Sequence, residues 1–251
     1  MIAGRYSLAL VMVLVLGACS KDPTPTGAQT SEPAAAAPYS VELDAFYESF
    51  TDEWMLGDPD EAIEDGYFTD ERQDLAARQV TPRSMKYKRA RVALARRGLE
   101  ELNAIDLDRA SAAQQRSAAV LRWQLDYHAS KEPFLDYLSM PLRSYRGAGR
   151  MLVTELTVSH PFRNARDVEN YVARMSQVGD RMSEATADAA GRAEHGVLMP
   201  RFITEAAIEQ LQVFVNTPPA DSPYITTLRN KSASIGDLDA AKRDALIAEA
   251  T

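Results

Sequence analysis

Thiols and imidazoles are scarce in this chain: Cys19 is the only cysteine, and His128, His160 and His195 are the only histidines, in 251 residues. No disulfide can form within one molecule, so the folded part must be held by packing. The three histidines lie far apart, and none belongs to a His-Glu-x-x-His helix, which would place two imidazoles and a base on one face. Each also has a local role: His128 on an apolar helix face, His160 before a proline at a turn, His195 before a helix-ending glycine. The sequence therefore predicts no metal ligand and no catalytic residue. Serines lack a Gly-x-Ser-x-Gly elbow, which leaves a hydrolase triad unsupported. A basic excess is missing too, with 28 Lys and Arg against 36 Asp and Glu and a net charge of −8. That balance speaks against nucleic acid, whose phosphates need cations to neutralise them. The run Arg83, Lys86, Lys88, Arg89, Arg91, Arg96 and Arg97 falls on one expected helix, as a solvated face or as partner to the acidic residues Asp58 to Asp74.

Long apolar runs are limited to Leu8–Leu16, preceded by Arg5 and too short to span a bilayer comfortably. It ends in Leu16-Gly17-Ala18-Cys19, where leucine and two small residues give a slim approach to the thiol. Residues 1–18 read as a lipoprotein signal and Cys19 as the lipid anchor, tying the protein to a membrane. Each buried acyl methylene contributes about 0.8 kcal/mol, so an anchor of several chains is effectively permanent. Ser20 stands where an aspartate would argue for the inner membrane, so the expected location is the outer membrane, facing the periplasm. Residues 19–38, rich in Pro, Thr, Ser, Gly and Ala, form a flexible tether. A helical domain over 39–251 follows.

Apolar spacing predicts an all-α fold, a multi-helix array of amphipathic helices. Leu43, Phe46, Tyr47, Phe50 and Trp54 form one stripe on a helix entered at Ser40 and stopped near Gly57. Thr81-Pro82 predicts the start of a second helix carrying Met85, Val92, Ala95, Leu99 and Leu102. Ser111-x-x-Gln114 has capping-box spacing and opens a third, with Ala118, Leu121, Leu125 and His128 on one face. Asn164 caps a fourth, with Val168, Tyr171, Val172, Met175 and Val178 inward. After Gly179, the face Met182, Ala185, Ala189 and Ala193 predicts close helix approach, ended by Gly196. Pro200 starts a helix with Ile203, Ala207, Leu211 and Phe214 inward, closed by Pro218-Pro219, and Asp237 opens a last, alanine-rich one. No stop signal precedes Thr251, so the domain is expected to be cut short.

Leu152 to Val158 stays open between helix and strand, because its Val and Thr alternation suits a strand while its neighbours are helical. Just before it, Arg146-Gly147-Ala148-Gly149-Arg150 presents glycine amides between arginines. Leu152 occupies the place of a third dinucleotide-loop glycine, which favours a plain connection; Arg143, Arg146 and Arg150 remain candidates for contact with an anion or substrate. The carboxylate pairs Glu100 and Glu101, and Asp106 and Asp108, lie on polar stretches where they solubilise.

Taken in order, Met140-Pro141-Leu142 to Gly149, His160-Pro161-Phe162, Asp167-Val168-Glu169-Asn170-Tyr171 with Arg174-Met175, and Gly196 to Pro200 resemble the N-terminal half of bacterial domain-of-unknown-function family 885. The resemblance implies a lipoprotein and a largely helical fold of the zinc-metallopeptidase clan. It also implies a His-Glu-x-x-Pro-Gly-His-type motif in the C-terminal half of much longer members. This chain lacks that motif, so no catalytic or metal residue carries over; zinc is expected only with the missing half, and these helices would wall one side of a peptide cleft. The alternative is a non-enzymatic helical lipoprotein, a binding or scaffold module for an envelope partner.

Overall fold

A computed structural model describes residues 38–251. The signal segment, Cys19 and all but the last residue of the tether lie outside the described residues. Every regular element among the described residues is helical. No helix among them is long and apolar enough to cross a membrane.

The first half is a helical sandwich built on the aromatic stripe. Helix α1 (Val41–Leu56) starts where the Ser40 side chain accepts the Leu43 amide, and buries Leu43, Phe46 and Phe50. It packs with α4 (Met85–Ala104) and α5 (Ala112–Ala129) around Ala95, Leu102, Ala118 and Leu125. Gly98 is required where α4 crosses Phe50, because a Cβ there would collide with the ring. Gln114 completes the capping box and reaches further: its amide donates to the Ser40 carbonyl at 2.8 Å and to Asp44 at 2.7 Å, while its side-chain oxygen accepts from the Ser40 amide. One side chain thus caps α5 and fixes the entry to α1.

Two short helices, α2 (Pro59–Asp65) and α3 (Glu71–Ala77), fold the acidic stretch back against the end of α1 through Met55, Ala62, Phe68 and Ala76. The start of α4 differs from expectation. Thr81 does not cap it; Ser84 does, and Thr81 instead donates from its hydroxyl to Asp58 at 2.7 Å, holding the start of α2.

The second half assembles α6 (Ala148–Thr154), α7 (Ala165–Met175), α8 (Val178–Glu194), α9 (Arg201–Asn216), α10 (Pro223–Ser232) and α11 (Ala240–Ala250). Leu152, Leu156, Val168, Tyr171, Tyr224 and Leu228 form its core. The open stretch from Leu152 to Val158 is helical, and over Glu155–Ser159 it widens into a π turn. Asn164 caps α7 as expected, accepting the Asp167 amide at 3.0 Å.

Three helix details overturn the periodic reading. Of the expected α8 face Met182, Ala185, Ala189 and Ala193, Ala185 is buried and Met182 packs against the core, but Asp188 and Arg192 are buried where Ala189 is half-buried and Ala193 exposed, because a carboxylate and guanidinium spaced i,i+4 pair inward. On α9 only Ala207 is buried, and Phe214 is 38% exposed, so this helix borders a cavity rather than the core. Asp237 does not open the last helix; Asp239 caps it, and Asp237 accepts the Ala165 amide at 2.9 Å.

Candidate functional site

The loop between α5 and α6 carries Arg143, partly buried, and Arg146, exposed, while Arg150 stands exposed in the first turn of α6. Arg146 adopts a left-handed conformation (φ 60°), and Gly147 follows so closely over Arg143 that a side chain there would strike the Arg143 backbone. The Ala148 amide donates to the Pro141 carbonyl at 2.7 Å, which closes the loop and starts α6. This is the helix-to-helix connection that the spacing favours.

Arg143 and Arg150 border an open cavity of about 530 Å³ between α6 with its π turn, α8, α9 and the start of α10. Its walls are Val153, Val158, Val178, Met182, Leu211 and Phe214, with Thr154, Thr157 and Gln210 as polar points. The third candidate, Arg146, is not part of the lining; it stands exposed with its guanidinium 5.9 Å from the ring of exposed Tyr145. No carboxylate lines the cavity, and among the described residues neither Arg143 nor Arg150 has an acidic partner. The Arg143 Nε is shut off from solvent and makes no hydrogen bond among the described residues. Volume and apolar lining suit a small organic ligand, and the two unpaired guanidiniums set its charge.

Behind this wall lies a buried charge network that the sequence reading missed. Arg174 of α7, 1% exposed, pairs with Asp60 of α2 and donates to His160 Nδ1 at 3.1 Å. Since a guanidinium only donates, Nδ1 must accept, and the proton sits on Nε2, which donates to the Asp167 carbonyl at 2.8 Å. Arg83 joins Glu155 of the π turn and reaches Asp60 at 3.4 Å. Lys231 of α10 donates to the Thr157 carbonyl at 3.0 Å, satisfying a backbone group in the widened turn. The segment facing the cavity is therefore braced from behind by charges drawn from α2, the approach to α4, and α7.

A second network sets the approach to Arg143. Arg192 binds Asp188 through two nitrogens at 2.8 and 3.0 Å, both side chains 1% exposed. It also donates to the Asp136 and Leu138 carbonyls at 2.7 and 2.9 Å, and Lys88 of α4 closes on Asp188 from the other side. Burial pushes the Asp188 carboxyl up, but hydrogen bonds from Arg192 and Lys88 outweigh it and hold the group below the usual carboxylate range.

The basic run divides accordingly. Arg83 and Lys88 enter these networks, Arg91 stacks 3.6 Å over Trp54, and Lys86, Arg89, Arg96 and Arg97 are exposed. Among the described residues of this run Arg83 forms the expected ion pair with the acidic stretch, at Asp60, and Arg91 acts on Glu61 through its charge; Arg97 pairs instead with Glu53 and Arg96 with Glu132.

These residues do not fit a zinc centre. Among the described residues no three His, Cys, Asp or Glu side chains are grouped to hold a metal ion. Both ring nitrogens of His160 are engaged, and His128 sits edge-on to Trp54 at 4.9 Å.

The buried groups make stability depend on pH in opposing directions. Burial pushes His160 down from 6.5 to about 4, so its contribution is complete above 6.5 and is lost as pH falls through 4. Burial pushes the Glu155 carboxyl up from 4.5 to about 7, with Arg83 working against the shift and Asp60 with it; its contribution is complete below 4.5 and is lost as pH rises through 7. Glutamine at either site keeps a hydrogen-bonding group without titrating. In denaturant titrations, His160→Gln is expected to remove about 3 kcal/mol of the stability change between pH 4 and 6.5. Glu155→Gln should flatten the opposite slope between pH 4.5 and 7. A His160→Gln profile parallel to that of the unaltered protein would contradict the buried neutral assignment.

Residues 59–251 match the family described as bacterial protein of unknown function, DUF885. No curated protein matches the chain. Among solved structures, the crystal structure of a candidate lipoprotein from Colwellia psychrerythraea has a TM-score of 0.73 and 16% identity, over 83% of this chain and 37% of that one. At that identity the likeness concerns the fold, and this chain spans well under half the length of that neighbour.

Proposed function

Since the chain belongs to the bacterial DUF885 family, we propose that its helices form one wall of the substrate cleft of a peptidase held in the cell envelope by lipid on Cys19. The cavity carries this reading: an open, apolar-walled space of about 530 Å³ whose only charges are Arg143 and Arg150. The order of family motifs, from Met140-Pro141 to Gly196–Pro200, supports the metallopeptidase kinship, and the lipoprotein description of the structural neighbour supports the anchor. In this reading zinc and the water-activating residues come from the part of longer family proteins that the family resemblance implies, and the helices described here contribute the wall. This half binds and orients; it does not cleave. An outer-membrane position facing the periplasm follows from Ser20 after the anchor.

Peptide hydrolysis with added zinc should be measured on this chain alone and on the same helices joined to the remaining part of a longer family protein. The joined form is expected to cleave and the short form to be inactive. Cleavage by the short form would refute the division of labour. Inactivity of both would favour the non-enzymatic envelope module.

A further inference from the structure

A buried guanidinium nitrogen without a partner is a narrower feature than an unpaired surface charge. Four arginines, Arg83, Arg143, Arg174 and Arg181, have an Nε that is buried and unbonded among the described residues. Three of them bind through their other nitrogens: Arg83 to Glu155, Arg174 to Asp60 and His160, Arg181 to Glu184 and the Val80 carbonyl. Arg143 has no partner on any nitrogen among the described residues, and it lines the cavity beside Arg150, which is likewise unpaired. The Arg143 Nε is shut off from water while its terminal nitrogens, without a partner among the described residues, stay open to solvent at the cavity, where an incoming anion would replace water on a fork already held in place.

The remaining lining indicates what carries that anion. Val153, Met182, Leu211 and Phe214 supply an apolar wall that a small inorganic ion would leave uncovered and an organic acid would cover. Thr154 and Thr157 already donate their hydroxyls to the Arg150 and Val153 carbonyls of their own helix, which leaves oxygen lone pairs free to accept. Gln210 offers both a donor and an acceptor at the rim. An aliphatic acid has no use for these groups, whereas a peptide backbone has N–H and C=O groups to match.

We propose that this cavity receives the C-terminal end of a short apolar peptide, with Arg143 and Arg150 holding its free carboxylate. The assignment rests on the cleft-wall reading for the class of ligand, and it makes the substrate one whose terminal carboxylate must be exposed.

Binding of N-acetyl-Leu-Phe-Leu to the full chain, followed by calorimetry, tests it beside the same peptide as its C-terminal amide and beside dodecanoic acid. The acid is expected to bind at least about tenfold more tightly than the amide, as befits charge-assisted hydrogen bonds. Arg150→Ala, at an exposed position, should erase that preference and bring acid and amide to the same affinity. Arg143→Ala should do the same. Equal affinity for acid and amide, or no binding of either, would overturn the proposal, as would dodecanoate binding more tightly than the peptide acid. Because nothing is cleaved in this measurement, its outcome is separate from the peptidase reading. Selective binding of the acid with no hydrolysis by the joined form removes the enzyme and keeps the pocket; hydrolysis without acid preference does the reverse.

Discussion

Arg174→Ala is expected to lower the unfolding free energy by about 3–5 kcal/mol, the cost of breaking a buried ion pair from one side. The guanidinium is 1% exposed and joins residues 114 positions apart in the chain. Its removal leaves the Asp60 carboxylate, 11% exposed, beside Glu155 with the Thr81 amide at 3.2 Å and Arg83 at 3.4 Å to offset it, and strips the donor from His160 Nδ1. Combining it with Asp60→Asn should recover part of the loss, because the abandoned charge is then gone even though the contact is not restored. Urea titration of the single and double variants measures both quantities. A single-variant loss under about 1 kcal/mol would show that the pair behaves as a solvated surface bridge.

The second large effect is expected at Asp188. Asp188→Ala strands Arg192 and half-buried Lys88 together, two cations drawn to one carboxylate, and should cost about 3–5 kcal/mol, or roughly 10 °C in Tm. The damage should also have an address. Arg192 holds the carbonyls of Asp136 and Leu138 on the stretch leading to Arg143, so amide exchange should accelerate between Glu132 and Pro141 more than in α1 or α5. Asp188→Asn, which keeps one acceptor and one fork of the geometry, should fall between. Uniform acceleration over the whole protein would mean that the pair supports global stability without positioning this loop.

These two positions also mark the boundary of what could be read from residue order. Caps were legible, since a serine or asparagine before an amphipathic run satisfies amides only a few residues away: Ser40, Ser111 and Asn164 all act as their spacing indicates. The aromatic stripe of α1 was legible for the same reason, because burial of a periodic face depends on local geometry. Arg174 and Asp60 were not, as nothing local selects one carboxylate from 36 acidic residues for a partner so distant. On α8 the apolar count misled, because an inward Asp–Arg pair at i,i+4 has the spacing of an exposed one. Part of the cavity is legible in residue order, as Arg143 and Arg150; its other wall, on α9, reads as core, since an apolar face turned toward an open space carries the same pattern as one turned toward packed side chains.

The widened turn at Glu155–Ser159 gives one short segment three surroundings at once. Leu152 and Leu156 are fully enclosed, Glu155 meets Arg83, and Val153, Thr154, Thr157 and Val158 look into the cavity. Changes of ligand preference during divergence are thereby confined to the last four positions, with the intervening ones held fixed by what lies behind them. Inserting or deleting a single residue there would trade all three sets of neighbours together, so this stretch should tolerate exchange of side chains far better than any change in length.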